Sequence, residues 1–226
     1  MRVAWLYLGL VACGRVSFDP RSDAGVDTPS SAIECASDPR LLACYDFEGD
    51  LGDRSGHGND ATAIQVQYVA GRFGRGAHMD DQSRADLTTP SLDTTQWTFE
   101  AWIRPDMPPA GSLELIFDHD QRWAIMLEDQ AGGLMFGCNS AVAQGFMSMP
   151  LAPGVWAHVA CIDDGTTISA YVDGVVEAIG TGNGGGSTTV AAIGGNTPLD
   201  QEPSPFFGTL DRMRIWNVAL TASELD

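Results

Sequence analysis

The chain has 226 residues and a net charge of -18, from 30 acidic and 12 basic side chains, every basic one an arginine. A surface this acidic repels phosphate backbones and anionic headgroups, which excludes nucleic acid and electrostatic membrane adsorption as partner classes. With 26 glycines and no long helical periodicity, the sequence predicts many short strands joined by turns, enough for one sandwich domain.

In chain order, Met1–Ala12 (MRVAWLYLGLVA) places one arginine before an apolar run. That run is too short to span a bilayer and has the shape of a secretory signal. It ends Leu10-Val11-Ala12-Cys13-Gly14, which resembles a bacterial lipobox. The resemblance implies an acyl chain on Cys13, a lipid anchor as the only membrane contact, and a place in the cell envelope, on the outer membrane or the cell surface. If Cys13 is acylated, four cysteines remain (Cys35, Cys44, Cys138 and Cys161), and an even number suits an oxidising compartment. Three pairings are open. Cys35–Cys44 with Cys138–Cys161 is preferred, because the first closes a short loop and the second joins two apolar segments expected to be neighbouring strands. Residues 13–34 are rich in Asp, Ser, Pro and Gly and bury too little to offset ordering; they read as a tether. The folded domain is expected over 35–226.

Within that domain, Cys44–Glu48 alternates, with Tyr45 and Phe47 on one face. Asp53–Asp60 (DRSGHGND) is a turn-rich loop, and Ala61–Tyr68 alternates again. Trp97–Arg104 is the clearest strand: Trp97, Phe99, Ala101 and Ile103 share one face, Thr98, Glu100, Trp102 and Arg104 the other. An aromatic ring on the second face predicts cover on both sides at Trp102. Leu113–Phe117 and Trp123–Leu127 flank an acidic turn, and Leu134–Cys138, Trp156–Ile162 and Thr167–Val172 follow. Asp173-Gly174 between β-branched runs signals a hairpin. Gly180–Gly186 is too rich in glycine for a strand and is expected to be mobile. Val190–Gly194 and Phe206–Trp216 are the last strands, and Thr221–Glu224 has the form of a capping box opening a helical turn.

Three stretches carry a family resemblance: YDFEGDLGDRSGHGNDATA, then WTFEAWIRP with VWAHVACIDDGTTISAYVDG, then FFGTLDRMRIWNVALTASEL. In this order they resemble laminin-G-like, concanavalin A-like jelly-roll domains over about Cys44 to Leu225. The resemblance implies an all-β, two-sheet antiparallel jelly-roll sandwich with one concave face. It leaves function open, because the fold hosts lectins, adhesion modules and some glycosidases. It also implies a structural calcium held by Asp53 and Asn59 with Asp211 opposite, an ion that takes six to eight oxygens; the alternative is a loop of Asx turns without an ion.

For function, a binding module for a carbohydrate or an extracellular protein is the first expectation. A structural or adhesion protein without a small ligand is the alternative, and a glycoside hydrolase comes third. Glu48 to Asp53 only approximates a strand of paired carboxylates, and the segment around Glu114 lacks the spacing. The scattered histidines, His158 among them, show no zinc spacing. Aromatic platforms for a sugar are sought by exclusion at Trp123, Phe146, Phe206 and Phe207, with Trp97, Trp102, Trp156 and Trp216 assigned to the core.

Overall fold

A computed structural model describes residues 35, 38–88, 91–92, 94–186, 190–198 and 204–225. Cys13, its leader and its tether lie outside them. Fifteen strands and no helix occur among the described residues. The first five are β1 (Leu41–Tyr45), β2 (Thr62–Ile64), β3 (Gln67–Ala70), β4 (Arg75–Met79) and β5 (Arg84–Thr88). The next five are β6 (Trp97–Pro105), β7 (Leu113–His119), β8 (Trp123–Gln130), β9 (Gly133–Ser140) and β10 (Gln144–Leu151). The last are β11 (Ala157–Asp163), β12 (Thr167–Val172), β13 (Val175–Thr181), β14 (Val190–Ile193) and β15 (Gly208–Trp216).

They form two antiparallel sheets, the expected sandwich. One runs β13-β12-β11-β6-β15-β4-β3, with β1 also paired to β15; the other runs β10-β9-β8-β7-β14-β5-β2. Period-two alternation sends one face of each strand into the space between the sheets. From β6 these are Trp97, Phe99, Ala101 and Ile103, all fully buried. They meet Phe117, Trp123, Ile125 and Phe136 from the facing sheet in one continuous core. Trp97 stacks on Trp123 at 4.3 Å, worth roughly 0.5–1.5 kcal/mol beyond the area both rings bury.

Cys35 is bonded to Cys44 and Cys138 to Cys161. The second bond differs from the neighbouring-strand expectation. Cys138 lies on β9 in one sheet and Cys161 on β11 in the other, so the bond crosses the core. Two apolar strands facing each other across a sandwich carry the same composition as two strands side by side.

Two local expectations change. Gly180 and Thr181 complete β13, and the glycines after them are anchored. Asp163 accepts hydrogen bonds from the Asn183 and Gly184 amides (3.0 and 3.2 Å), and Trp97 Nε1 donates to the Gly184 carbonyl. Gly184 sits at φ +72°, and a Cβ there would strike the Thr95 carbonyl, so glycine permits close docking rather than motion. Residues 221–224 make a hydrogen-bonded turn, with Glu224 accepting from the Thr221 amide and hydroxyl, and no helix follows. The Asp173-Gly174 pair (φ 45° and 90°) turns β12 into β13, as a hairpin of that type requires.

Candidate functional site

β15 builds the most structured surface site by breaking its own ladder. It pairs with β4 through Gly208–Leu210 and with β1 through Met213–Trp216. Against β6 its register slips between Asp211 and Arg214, so Arg212 and Met213 stand opposite the single Ala101. Met213 enters the core. Arg212 is the extra residue, held at φ 45°, a region that side chains other than glycine occupy at a cost. Bulges re-aim side chains, and this one adds a guanidinium to the outward face of the sheet.

The turn between β3 and β4 docks at the bulge. Asp211, fully buried, accepts the Phe73 amide at 2.7 Å through one carboxylate oxygen; the other has no hydrogen-bond partner. Burial raises the Asp211 carboxyl to about 6, with the amides of Phe73, Arg72 and Arg212 opposing the rise. The turn thereby carries Phe73 edge-on to Trp102, with ring centroids 5.7 Å apart. Arg72 lies over the Trp102 ring at 4.9 Å and Arg212 over Phe73 at 3.7 Å, both cation–π contacts.

Beneath them is a cleft of about 80 Å³ lined by Phe73, Glu100, Trp102, His158, Arg212 and Arg214. Cross-strand register assembles it: His158 and Asp211 flank Trp102, and Arg214 flanks Glu100. His158 stacks beside Trp102 at 5.1 Å. Glu100 forms the floor and its side chain is only 2% exposed. Its Oε1 accepts Trp216 Nε1 at 3.0 Å and Arg214 Nη1 at 3.2 Å. Its Oε2 lies 3.5 Å from His158 Nε2 and accepts no hydrogen bond. A buried acceptor without a donor is costly unless something supplies one. The cleft thus offers a half-exposed indole, an unfilled carboxylate lone pair and two guanidiniums.

This arrangement corrects the assignment of aromatic residues. Trp123 and Phe206, considered as platforms, are core residues, at 2% and 0% exposure. Trp102 and Trp156, assigned to the core, are half exposed on the outward face, with Arg104 over Trp156 at 5.3 Å. Trp97 and Trp216 are buried as expected. Phe146 packs on Leu115, Ala124 and Met126 on the other sheet, and Phe207 is half buried, its amide donating to Glu114. Alternation could assign Trp102 to the polar face. What covers that face comes from the turn at residues 71–74, distant in sequence.

The carboxylates considered for metal and for hydrolysis are occupied differently. Asp53 accepts four hydrogen bonds, from the amides of Cys44, Ser55 and Asn59 and the Ser55 hydroxyl, at 2.8–3.0 Å. A carboxylate has about four lone-pair sites, so these donors fill it. Asn59 donates to the Leu42 carbonyl and accepts the Ser91 amide. Asp211 takes its partners from the β3–β4 turn instead. No group of three His, Cys, Asp or Glu gathers as a metal set among the described residues. The side chains as arranged hold the loop together through Asx turns and do not fit a calcium ion. Glu48 is exposed and accepts the Arg75 amide. Glu114 is buried, accepts the Phe207 amide at 3.0 Å, and is raised by that burial to about 7. Neither lines the Trp102 cleft.

A larger hollow of about 190 Å³ opens on the other sheet, lined by Asp118, Gln121, Arg122, Trp123, Asn139 and Ser140 among others. It is polar, and the buried Trp123 offers it no ring face.

The family model for the concanavalin A-like lectin/glucanases superfamily matches residues 79–226, well over half of the chain. The chain belongs to this superfamily. Among solved structures, this concanavalin A-like chain is similar to domain 4 of AbnA, a GH43 extracellular arabinanase from Geobacillus stearothermophilus, in complex with arabinotriose. That likeness has a TM-score of 0.68 at 26% identity and covers 82% of this chain and 96% of that domain. The binding domain of Paraclostridial Mosquitocidal Protein 1 matches with a TM-score of 0.63 at 16% identity, over 82% of this chain and 51% of that one. The binding domain of Botulinum Neurotoxin DC in complex with SialylT gives 0.60 at 12%, over 81% and 48%. These last two share the fold, and the chain spans about half their length. No curated protein sequence matches the chain.

Proposed function

We propose that this chain is a non-catalytic carbohydrate-binding module, and that the cleft around Trp102 is where a sugar binds. One observation carries the reading: the buried Glu100 Oε2 lacks a donor beneath a half-exposed indole. A pyranose or furanose presents an apolar C–H face and hydroxyl donors together. The first matches Trp102, and a hydroxyl completes Glu100. Arg212, Arg214 and His158 supply donors to ring and hydroxyl oxygens. Pockets of this make-up, apolar walls with a few convergent polar groups, are the usual form of a ligand site. The arabinotriose complex of the AbnA domain supports a carbohydrate as the ligand class.

The lipobox-like sequence at Leu10–Cys13 supports an envelope location, with the module tethered through Cys13. Labelling of the intact chain by palmitate in a bacterial host, lost in Cys13→Ala, tests the anchor.

The binding reading is tested by calorimetry with arabino-oligosaccharides and a broader glycan panel. Trp102→Ala and Glu100→Gln should each weaken binding at least about tenfold, as loss of a stacking ring or a charge-assisted acceptor does. Glycan binding that survives both changes would move the site elsewhere.

A further inference from the structure

Resting on that reading, the structure assigns the cleft to a glycan that carries an anionic substituent, either a uronate carboxylate or a sulfate ester, received by Arg212 and Arg72. The charges on this face depart from the rest of the molecule. Arginines are scarce beside 30 acids, and elsewhere several are paired with them: Arg40 with Asp38 and Glu224, Arg54 with Asp46 and Asp50, Arg84 with Asp86. Arg72 and Arg212 instead lie over the rings of Trp102 and Phe73, and among the described residues neither forms a salt bridge with a carboxylate. Arg104 beside them sits over Trp156 and donates to Thr209. The two acids at the cleft are each engaged through one oxygen: Glu100 Oε1 accepts from Arg214 and Trp216, and Asp211 Oδ2 accepts the Phe73 amide.

The backbone adds a second, independent sign. Arg212 occupies the bulge position at φ 45°, where glycine would fit without strain. Its Nε is buried and has no hydrogen-bond partner. A strained arginine with an unfilled donor, aimed at a cleft, is arranged for an acceptor that arrives from outside. A planar guanidinium pairs with carboxylate or sulfate oxygens through two parallel N–H donors.

The overall charge of -18 does not forbid this. At physiological salt, charges beyond about 8 Å are screened, so a single acidic sugar senses the local arginines. An extended polyphosphate would still meet the acidic surface around them.

The test uses the full chain and ligands differing only in charge. One pair is oligogalacturonate and its methyl ester; the other is a sulfated galactan oligosaccharide and its desulfated form. At least one charged member should bind about 10- to 100-fold more tightly than its neutral partner, the range of a charge-assisted pair, and the advantage should shrink in 0.5 M NaCl. Arg212→Gly should erase that advantage while keeping or raising Tm, since glycine suits the bulge. Arg72→Gln, on the exposed turn, is the second variant and should reduce it with the fold intact. Equal affinity for charged and neutral members, with binding still lost in Trp102→Ala, overturns this inference and leaves the carbohydrate reading standing. Absence of binding to any glycan overturns both.

Discussion

On the inward face of β6, Trp97 is fully buried and stacks on Trp123 across the sandwich; on the outward face, Trp102 stays half exposed between Phe73, His158 and Arg72. The same strand thus serves the core on one side and a site on the other. Inward, neighbours are apolar and cover is complete, so the ring contributes stability. Outward, cover tapers along the strand. Thr98 is sealed by the 218–220 tail, donating to the Val218 carbonyl and accepting the Leu220 amide. Glu100 is sealed by Arg214 and Trp216, with one buried oxygen left without a donor, and Trp102 and Arg104 are only half covered. The proposed site falls where cover is incomplete, because a side chain already surrounded has nothing left to offer a ligand.

The largest expected effect would break that contrast if it failed. Trp97→Ala should cost roughly 3–5 kcal/mol in urea unfolding, as deletion of a buried aromatic ring does, whereas Trp102→Ala should cost about 1 kcal/mol or less and act on binding. Equal destabilisation by the two would place Trp102 in the core after all.

Next in size is the bond joining the two sheets. Cys138 and Cys161 are 23 residues apart, and closing such a loop in the unfolded chain is worth about 3 kcal/mol on the chain-entropy account. Replacing both with alanine should lower stability by about that amount. Replacing Cys35 and Cys44, 9 residues apart, should cost less. The reverse order, measured by denaturant titration, would show that the small cluster in which Cys35 and Cys44 pack with Leu41, Trp216 and Leu220 matters more than the staple between sheets.

Glu114 sharpens the comparison between buried carboxylates. Its pKa is raised from 4.5 to about 7 by burial, so the folded state holds its proton more tightly than the unfolded chain. Stability from this group is therefore full below pH 4.5 and lost as pH rises through 7. Glu114→Gln keeps the shape and an acceptor for the Phe207 amide. It should raise Tm at pH 8, leave it nearly unchanged at pH 4, and flatten the profile between. A parallel profile in wild type and variant would assign the pH dependence to another group.

The smallest expected effect concerns the Asp53 loop. Calcium or EDTA should leave Tm where it was, since protein donors already fill the Asp53 carboxylate; a bound ion would stabilise the native state by mass action. Asp53→Ala should lower Tm with or without calcium, because the Cys44, Ser55 and Asn59 amides lose their acceptor. A rise in Tm on adding calcium would mean the loop rearranges to take the ion.

Much of the fold was legible along the chain. Alternation located β6 and separated Trp97 from Trp102, and Asp173-Gly174 marked its hairpin, because pleat period and turn conformation are local properties. The family resemblance supplied the sandwich that joins them. The site was legible only in part. Trp102 was placed on the correct face of its strand yet assigned to the core, and Trp123 was considered a platform when it is interior. Periodicity divides residues between two faces and is silent on which element later covers each one.

By itself, the sequence determined the strands, their two faces and the net charge of -18. Only the tertiary structure decided that Cys138 and Cys161 join opposite sheets, that a bulge presents Arg212, and that the 71–74 turn covers half of Trp102. Those outcomes depend on contacts between segments far apart in the chain, where packing and register choose among arrangements that local residue preferences leave equal.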